Sequence, residues 1–133
     1  AGDGPMMNQL VDLSRILNID QYVTFLGYVS ECAIPSLYDK VDLLVTIDWA
    51  DFRLTTYECL SHNTKVIVSA DTEIDQSLMA SGYLYKSDPN YISLASEIER
   101  ALESSPHWNS KELHAYLSQF TWENYFLKIE KAK

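Results

Sequence analysis

Carboxylates cluster around the ends of two apolar runs in this sequence. Asp48, Asp51 and Glu58 follow the run Val41–Ile47, and Asp71 and Glu73 follow Lys65–Ser69. Paired carboxylates suit acid/base hydrolysis or magnesium binding, whereas single acidic residues in loops also serve as helix caps or solvated turns. Glu58 has a more specific use, because an ionised carboxylate offers two acceptor oxygens to vicinal hydroxyls such as those of a ribose. The same residue closes Thr55-Thr56-Tyr57-Glu58, which matches a capping box in which Glu58 would bond the Thr55 backbone N–H. Both readings stay open on spacing alone. If a helix starts near Leu54, the free amides of Leu54 and Thr55 suit a phosphate. Trp49 and Phe52 could stack on a base or pack at a strand end. No serine has the His/Asp partners of a nucleophile. His62, His107 and His114, with Cys32 and Cys59, have no metal-ligand spacing, so neither a metal nor a cofactor is expected.

The elements that must position these groups can be read from periodicity. Met6, Leu10, Leu13, Ile16 and Leu17 recur at helical spacing after Pro5, which suits a first helical turn. The β-branched and aromatic run Val23–Val29 reads as a strand, and Pro35 opens a short helix through Tyr38. Val41–Ile47 and Lys65–Ser69 are near-continuous apolar runs, as expected of parallel strands covered on both faces. Leu54–Ser61 between them is a crossover helix. Asp71–Ala80 reads as a further helix and Gly82–Tyr85 as a short strand. Asp88-Pro89 then caps a helix with Ile92, Ala95, Ile98, Ala101 and Leu102 on one face. Ser110 starts another helix, and Thr121 caps a last one bearing Trp122, Tyr125, Phe126 and Ile129. Strand–helix alternation predicts an α/β Rossmann-like parallel sheet with flanking helices. Ligands are then expected outside the carboxyl ends of the strands.

The 133 residues fit one domain, and 47% hydrophobic with 22% charged residues is ordinary for a globular protein. A formal net charge of -9 argues against nucleic acid as a partner and against an unaided grip on an anionic membrane. Two widely spaced cysteines fit a reducing, cytoplasmic compartment, and no apolar stretch is long enough to span a bilayer. The opening Ala1-Gly2-Asp3-Gly4-Pro5 reads as a loop in mid-chain, so a piece of a longer protein is expected.

Several short motifs occur in a telling order. Gly2-Asp3-Gly4-Pro5, Val23-Thr24-Phe25-Leu26-Gly27-Tyr28-Val29, Leu37-Tyr38 and Val41-Asp42-Leu43-Leu44-Val45 are followed by Phe52-Arg53-Leu54-Thr55-Thr56-Tyr57-Glu58-Cys59-Leu60, Lys65-Val66-Ile67-Val68-Ser69 and Thr121-Trp122-Glu123. In this order they resemble the C-terminal, nucleotide-sugar-binding domain of family 4 glycosyltransferases, with the resemblance covering residues 1–133 as part of one half of a two-domain GT-B fold. The family's acidic motif holds two glutamates separated by seven residues, the first toward the donor sugar and the second on the nucleotide ribose. Glu58 matches the second. The first falls on Ala50, which has no carboxylate, and Asp51 is its acidic neighbour.

The resemblance implies a retaining glycosyltransferase that moves a sugar from a nucleotide-sugar donor to a saccharide or lipid-linked acceptor, as in polysaccharide biosynthesis. Glu58 would hold the ribose, the Leu54 and Thr55 amides the diphosphate, and Phe52 would line the donor site. Asp51 and Arg53 are the catalytic candidates. The acceptor would be bound by an N-terminal domain outside this chain, which by itself is expected to be inactive. Peripheral membrane association of the whole protein stays open. A non-catalytic glycosyltransferase-like subunit acting as a partner-binding or chaperone module is the alternative, favoured by Ala50, and an unrelated Rossmann-like binding domain is a third reading.

Overall fold

The computed structural model describes residues 1–47, 54–121 and 123–124. The chain divides into two compact units, Ala1–Ser36 and Leu37–Lys133.

In the first unit, α1 spans Met7–Ile16. Its end is fixed by Asn18, whose positive φ of 56° lets Asn18 N–H reach Arg15 O and Ile19 N–H reach Ser14 O. This pair of bonds satisfies the last carbonyls of the helix. The expected apolar face forms but stays largely uncovered: Leu10, Leu13, Ile16 and Leu17 are exposed, and only Ser14 of the helix is buried. A unit of this size has too little chain to cover such a face. The strand expected over Val23–Val29 is absent. Its residues favour extended backbone, but a strand requires a neighbour to exchange hydrogen bonds with. Within this unit the run receives one such bond, from Gly2 N–H to Gly27 O at 2.7 Å.

The second unit is an α/β layer structure. Its sheet is parallel, in the order β1–β2–β3, where β1 is Leu43–Thr46, β2 Lys65–Ser69 and β3 Leu84–Ser87. Leu43 pairs with Lys65 and Val66 with Leu84, so the carboxyl ends of all three strands face the same way. The short α2, Ile34–Tyr38, leads into this unit. The crossover helix α3, Leu54–Ser61, has the bounds read from the sequence. Asn63, with φ 60°, ends it as Asn18 ends α1, and Thr64 N–H returns to Cys59 O. Its buried face, Thr56, Cys59 and Leu60, turns against the sheet, and burial pushes the Cys59 thiol up to about 11.

The later elements differ from their expected bounds in instructive ways. The helix expected over Asp71–Ala80 is confined to α4, Gln76–Ala80, because the Asp75 carboxylate accepts Ser77 N–H at 2.7 Å and sets the start there. The last strand lies two residues beyond Gly82–Tyr85. Asn90, not Asp88, caps α5, Tyr91–Glu103, by accepting Ser93 N–H at 2.9 Å. The face that α5 buries runs through Leu94, Ile98 and Ala101 against Ile67 and Tyr85, while Ile92 and Leu102 remain exposed. Spacings of four and three residues keep that stripe on one side of the helix. Asn109 and Glu112 make a reciprocal capping box at the start of α6, Ser110–Leu117. Thr121 Oγ1 accepts Asn124 N–H at 3.4 Å, as a cap would, and the rest of the last expected helix lies outside the described residues.

Lys65 locks helix to sheet. Its Nζ donates to Ala101 O at 2.5 Å and to Ser104 O at 2.6 Å, satisfying carbonyls at the end of α5. Lys65→Met keeps the stem but leaves those carbonyls unpaired, so it is expected to cost about 2 kcal/mol. Thermal unfolding should show the midpoint falling by roughly 8–16 °C, while an unchanged midpoint would mean that water replaces the ammonium freely.

Candidate functional site

The rule that ligands gather outside the carboxyl ends of parallel strands points to the region where β1 gives way to α3. Asp51, Phe52 and Arg53, together with Asp48, Trp49 and Ala50, lie outside the described residues. The remaining candidates, Leu54, Thr55 and Glu58, lie on one helix. Leu54 is the first residue of α3 and exposed, and Thr55 follows it. Glu58 stands three residues after Thr55 and four after Leu54, so the three share a side of the helix. Its Cα is about 6 Å along the axis from that of Leu54. The amides of the first helical turn have no partner within the helix, and the helix dipole adds partial positive charge there. An exposed carboxylate one turn below such a start can hold a polyhydroxylated group while the amides meet an anion.

The capping box considered for Thr55 and Glu58 does not form. Thr55 is the second residue inside α3 rather than the residue preceding it, so it is not at the capping position. Among the described residues Glu58 instead takes a hydrogen bond from the Tyr38 hydroxyl, 3.3 Å to Oε2. Tyr38 is only 6% exposed. Its phenol is pushed above the ordinary tyrosine range, first by burial, then by the Glu58 charge and the hydrogen bond to it, with the Thr55 side chain acting in the opposite direction. It therefore remains a donor at any ordinary pH. Twenty residues separate Tyr38 from Glu58, and nothing in the spacing of the sequence announced the pair.

A second group of polar residues lies beyond the ends of β2 and β3. Asp71, Thr72, Glu73, Asp75 and Lys86 line a groove of about 640 Å³ with Tyr57 and Phe120. Asp71 and Glu73 thus line the same groove, while Asp75 is engaged as the cap of α4. The hydrogen bonds from Ser77 hold its carboxyl below the usual range. Lys86 Nζ donates to Ala70 O at 3.4 Å. The aromatic wall continues from Tyr57 through Phe120 and Tyr116 to Trp108, with successive ring centroids 5.4–5.5 Å apart. Burial, and after it the negative charge of Asp75, raises both tyrosines, Tyr116 to about 12. Sequence reading missed this wall because its members come from three separate segments.

The opposite end of the sheet holds a cavity of about 560 Å³ with Asp39, Asp42, His62 and Lys65 in its lining. Three of these groups are already partnered: His62 Nδ1 meets Asp39 Oδ1 at 2.6 Å, and Lys65 is bound to α5. Among the described residues no group of three His, Cys, Asp or Glu side chains is placed to hold a metal ion. No helix among them is long and apolar enough to cross a membrane.

Comparison with known proteins gives this arrangement a setting. A family model described as glycosyl transferases group 1 matches residues 1–120. The alpha-monoglucosyldiacylglycerol synthase of Streptococcus pneumoniae is 26% identical over 134 aligned positions, which take in 98% of this chain and 30% of that protein. The glycosyltransferase MJ1607 of Methanocaldococcus jannaschii, whose own function is uncharacterized, is also 26% identical, over 93% of this chain and 33% of that protein. The chain therefore spans about a third of the length of these relatives. No solved structure matches it.

Proposed function

We propose, for a chain that belongs to the glycosyl transferases group 1 family, the role of donor-binding part in a transferase that moves a sugar from a nucleotide-sugar donor to a saccharide or lipid-linked acceptor. The observation that carries this reading is Glu58, exposed on α3 one turn below the helix start and held from behind by Tyr38. In this reading Glu58 accepts hydrogen bonds from the ribose hydroxyls, and the Leu54 and Thr55 amides face the diphosphate. Phe52 borders the donor, Asp51 stands near the sugar, and Arg53 offsets charge on the departing diphosphate. Stabilising that leaving group is the main catalytic task, and donors already aimed at it cost no reorganisation during the reaction. Retention at the anomeric carbon follows from the family resemblance.

The acceptor is bound by sequence beyond this chain, and the whole protein works in the cytoplasm, in peripheral contact with a membrane when the acceptor is a lipid. The name of the pneumococcal relative, a synthase of a glucosylated diacylglycerol, favours the lipid class. One sequence feature supports a second reading. Ala50 stands where the family motif has its first glutamate, and a protein that kept the fold as a partner-binding module would tolerate that loss.

Incubation of the full-length protein with UDP- and GDP-hexoses, with diacylglycerol or saccharide acceptors, separates the two. Acceptor-dependent release of nucleoside diphosphate is the expected result. Absence of transfer to any acceptor would favour the non-catalytic module, and absence of nucleotide binding as well would contradict the donor-binding reading and leave that module.

A further inference from the structure

We infer that Tyr38 is a positioning residue for nucleotide recognition, holding the Glu58 carboxylate in the orientation that accepts the ribose hydroxyls; this rests on the donor-binding reading above. A glutamate on an exposed helix face has three rotatable bonds, and fixing them on binding costs about 1–2 kcal/mol of side-chain entropy. A partner that fixes them beforehand removes part of that cost. Tyr38 has the attributes of such a partner. Its hydroxyl donates to one carboxylate oxygen, Oε2, and among the described residues no donor meets Oε1, the oxygen that a ligand would then engage.

The tyrosine is itself anchored at three points. Thr64 Oγ1 donates to the Tyr38 backbone carbonyl at 3.0 Å, in the turn that follows α3. The Tyr38 ring meets the His62 ring at a centroid distance of 5.7 Å. His62 is in turn tied by Nδ1 to Asp39, the residue after Tyr38, at 2.6 Å. Residues of α3 and of the turn after it therefore hold one tyrosine: Glu58 at its hydroxyl, His62 and Thr64 at its ring and backbone. The raised phenol pKa keeps the donor protonated throughout the pH range in which a transferase works. The contact gives Tyr38 a use beyond filling the core, which a phenylalanine would do equally well.

The test is Tyr38→Phe in the full-length protein, with Glu58→Ala and the double variant alongside, titrated with UDP and with 2′-deoxy-UDP, or with the guanine pair if wild type prefers it. Wild type should prefer the ribonucleotide. Tyr38→Phe should weaken its binding about fivefold, the effect of one hydrogen bond to a charged group partly offset by water, and leave the deoxynucleotide nearly unchanged. In the Glu58→Ala background the tyrosine substitution should have no further effect on either ligand. A merely structural role would weaken both nucleotides alike and lower the unfolding midpoint, which would overturn the inference. Binding that depends on Glu58 but not on Tyr38 would overturn it while leaving donor binding intact. Failure of wild type to bind any nucleotide would overturn both.

Discussion

Glu58→Ala is expected to weaken nucleotide-sugar binding about 100-fold while the chain stays folded. The size follows from two hydrogen bonds to an ionised carboxylate, each taken at about 1.5 kcal/mol, the lower end for a charged partner because the site is open to water, with tenfold in affinity for each 1.4 kcal/mol. The retained fold follows from where the residue sits. Its side chain lies on the solvent face of α3, opposite Cys59 and Leu60, which are wholly buried. Among the described residues its side-chain hydrogen bond is the one from the Tyr38 hydroxyl. The stability loss should stay near or below about 1 kcal/mol. Calorimetric titration with UDP- and GDP-sugars, paired with thermal unfolding, measures both quantities. An unchanged affinity would move the ribose contact away from α3, and a collapse of the unfolding midpoint would make Glu58 a structural residue.

Gly82→Ala is expected to damage the fold of the second unit severely, although it adds a single methyl group. Gly82 has φ +79°, a conformation costly for any residue with a Cβ. A Cβ placed there would lie 2.8 Å from Pro106 Cα and 2.9 Å from His107 N. Both are backbone atoms, so no side chain can swing aside. The segment cannot retreat cheaply either, because His107 N–H and Trp108 N–H both bond Ser81 O, at 2.8 and 3.1 Å. Strain and overpacking together should cost about 3 kcal/mol or more. For a unit near 100 residues that lowers the unfolding midpoint by at least roughly 12 °C. A loss of only a few degrees would show that the Ser105–Trp108 turn is free to shift. Nucleotide affinity measured well below the midpoint should be unaltered, since Gly82 lies at the amino end of β3, away from the start of α3.

The parts of this fold that were legible in the sequence are those where one local pattern decides the matter. Lys65–Ser69 and Leu54–Ser61 were read with their observed bounds. A run buried on both faces and the short span between two parallel strands leave little choice. Where several neighbours compete for one role, the reading slipped. Asp88, Pro89 and Asn90 all suit a helix start, and only the geometry selects Asn90. Asp71 and Asp75 compete likewise for α4, and the later residue wins. Val23–Val29 has the composition of a strand, but a strand is a relation between two segments, and composition describes one.

The site divides along the same line. The resemblance pointed to Glu58, and local pattern offered a capping box for it. The structure removes the capping box by placing Thr55 inside the helix and supplies Tyr38, a partner twenty residues away. The aromatic wall from Tyr57 to Trp108 was illegible for the same reason, being assembled from α3, α6 and the turns around α6. Contacts made by tertiary folding leave no periodic trace, so the residues that orient a functional group are harder to read than the group itself.

The central claim is that a nucleotide sugar binds at the start of α3, and hydrogen exchange followed by mass spectrometry tests it most directly. With a saturating UDP- or GDP-sugar, peptides spanning residues 54–61 should gain protection, and that gain should vanish in Glu58→Ala. Protection confined to another surface, such as the Asp39, His62 and Lys65 cavity at the opposite end of the sheet, or no protection with ligand bound, would contradict it.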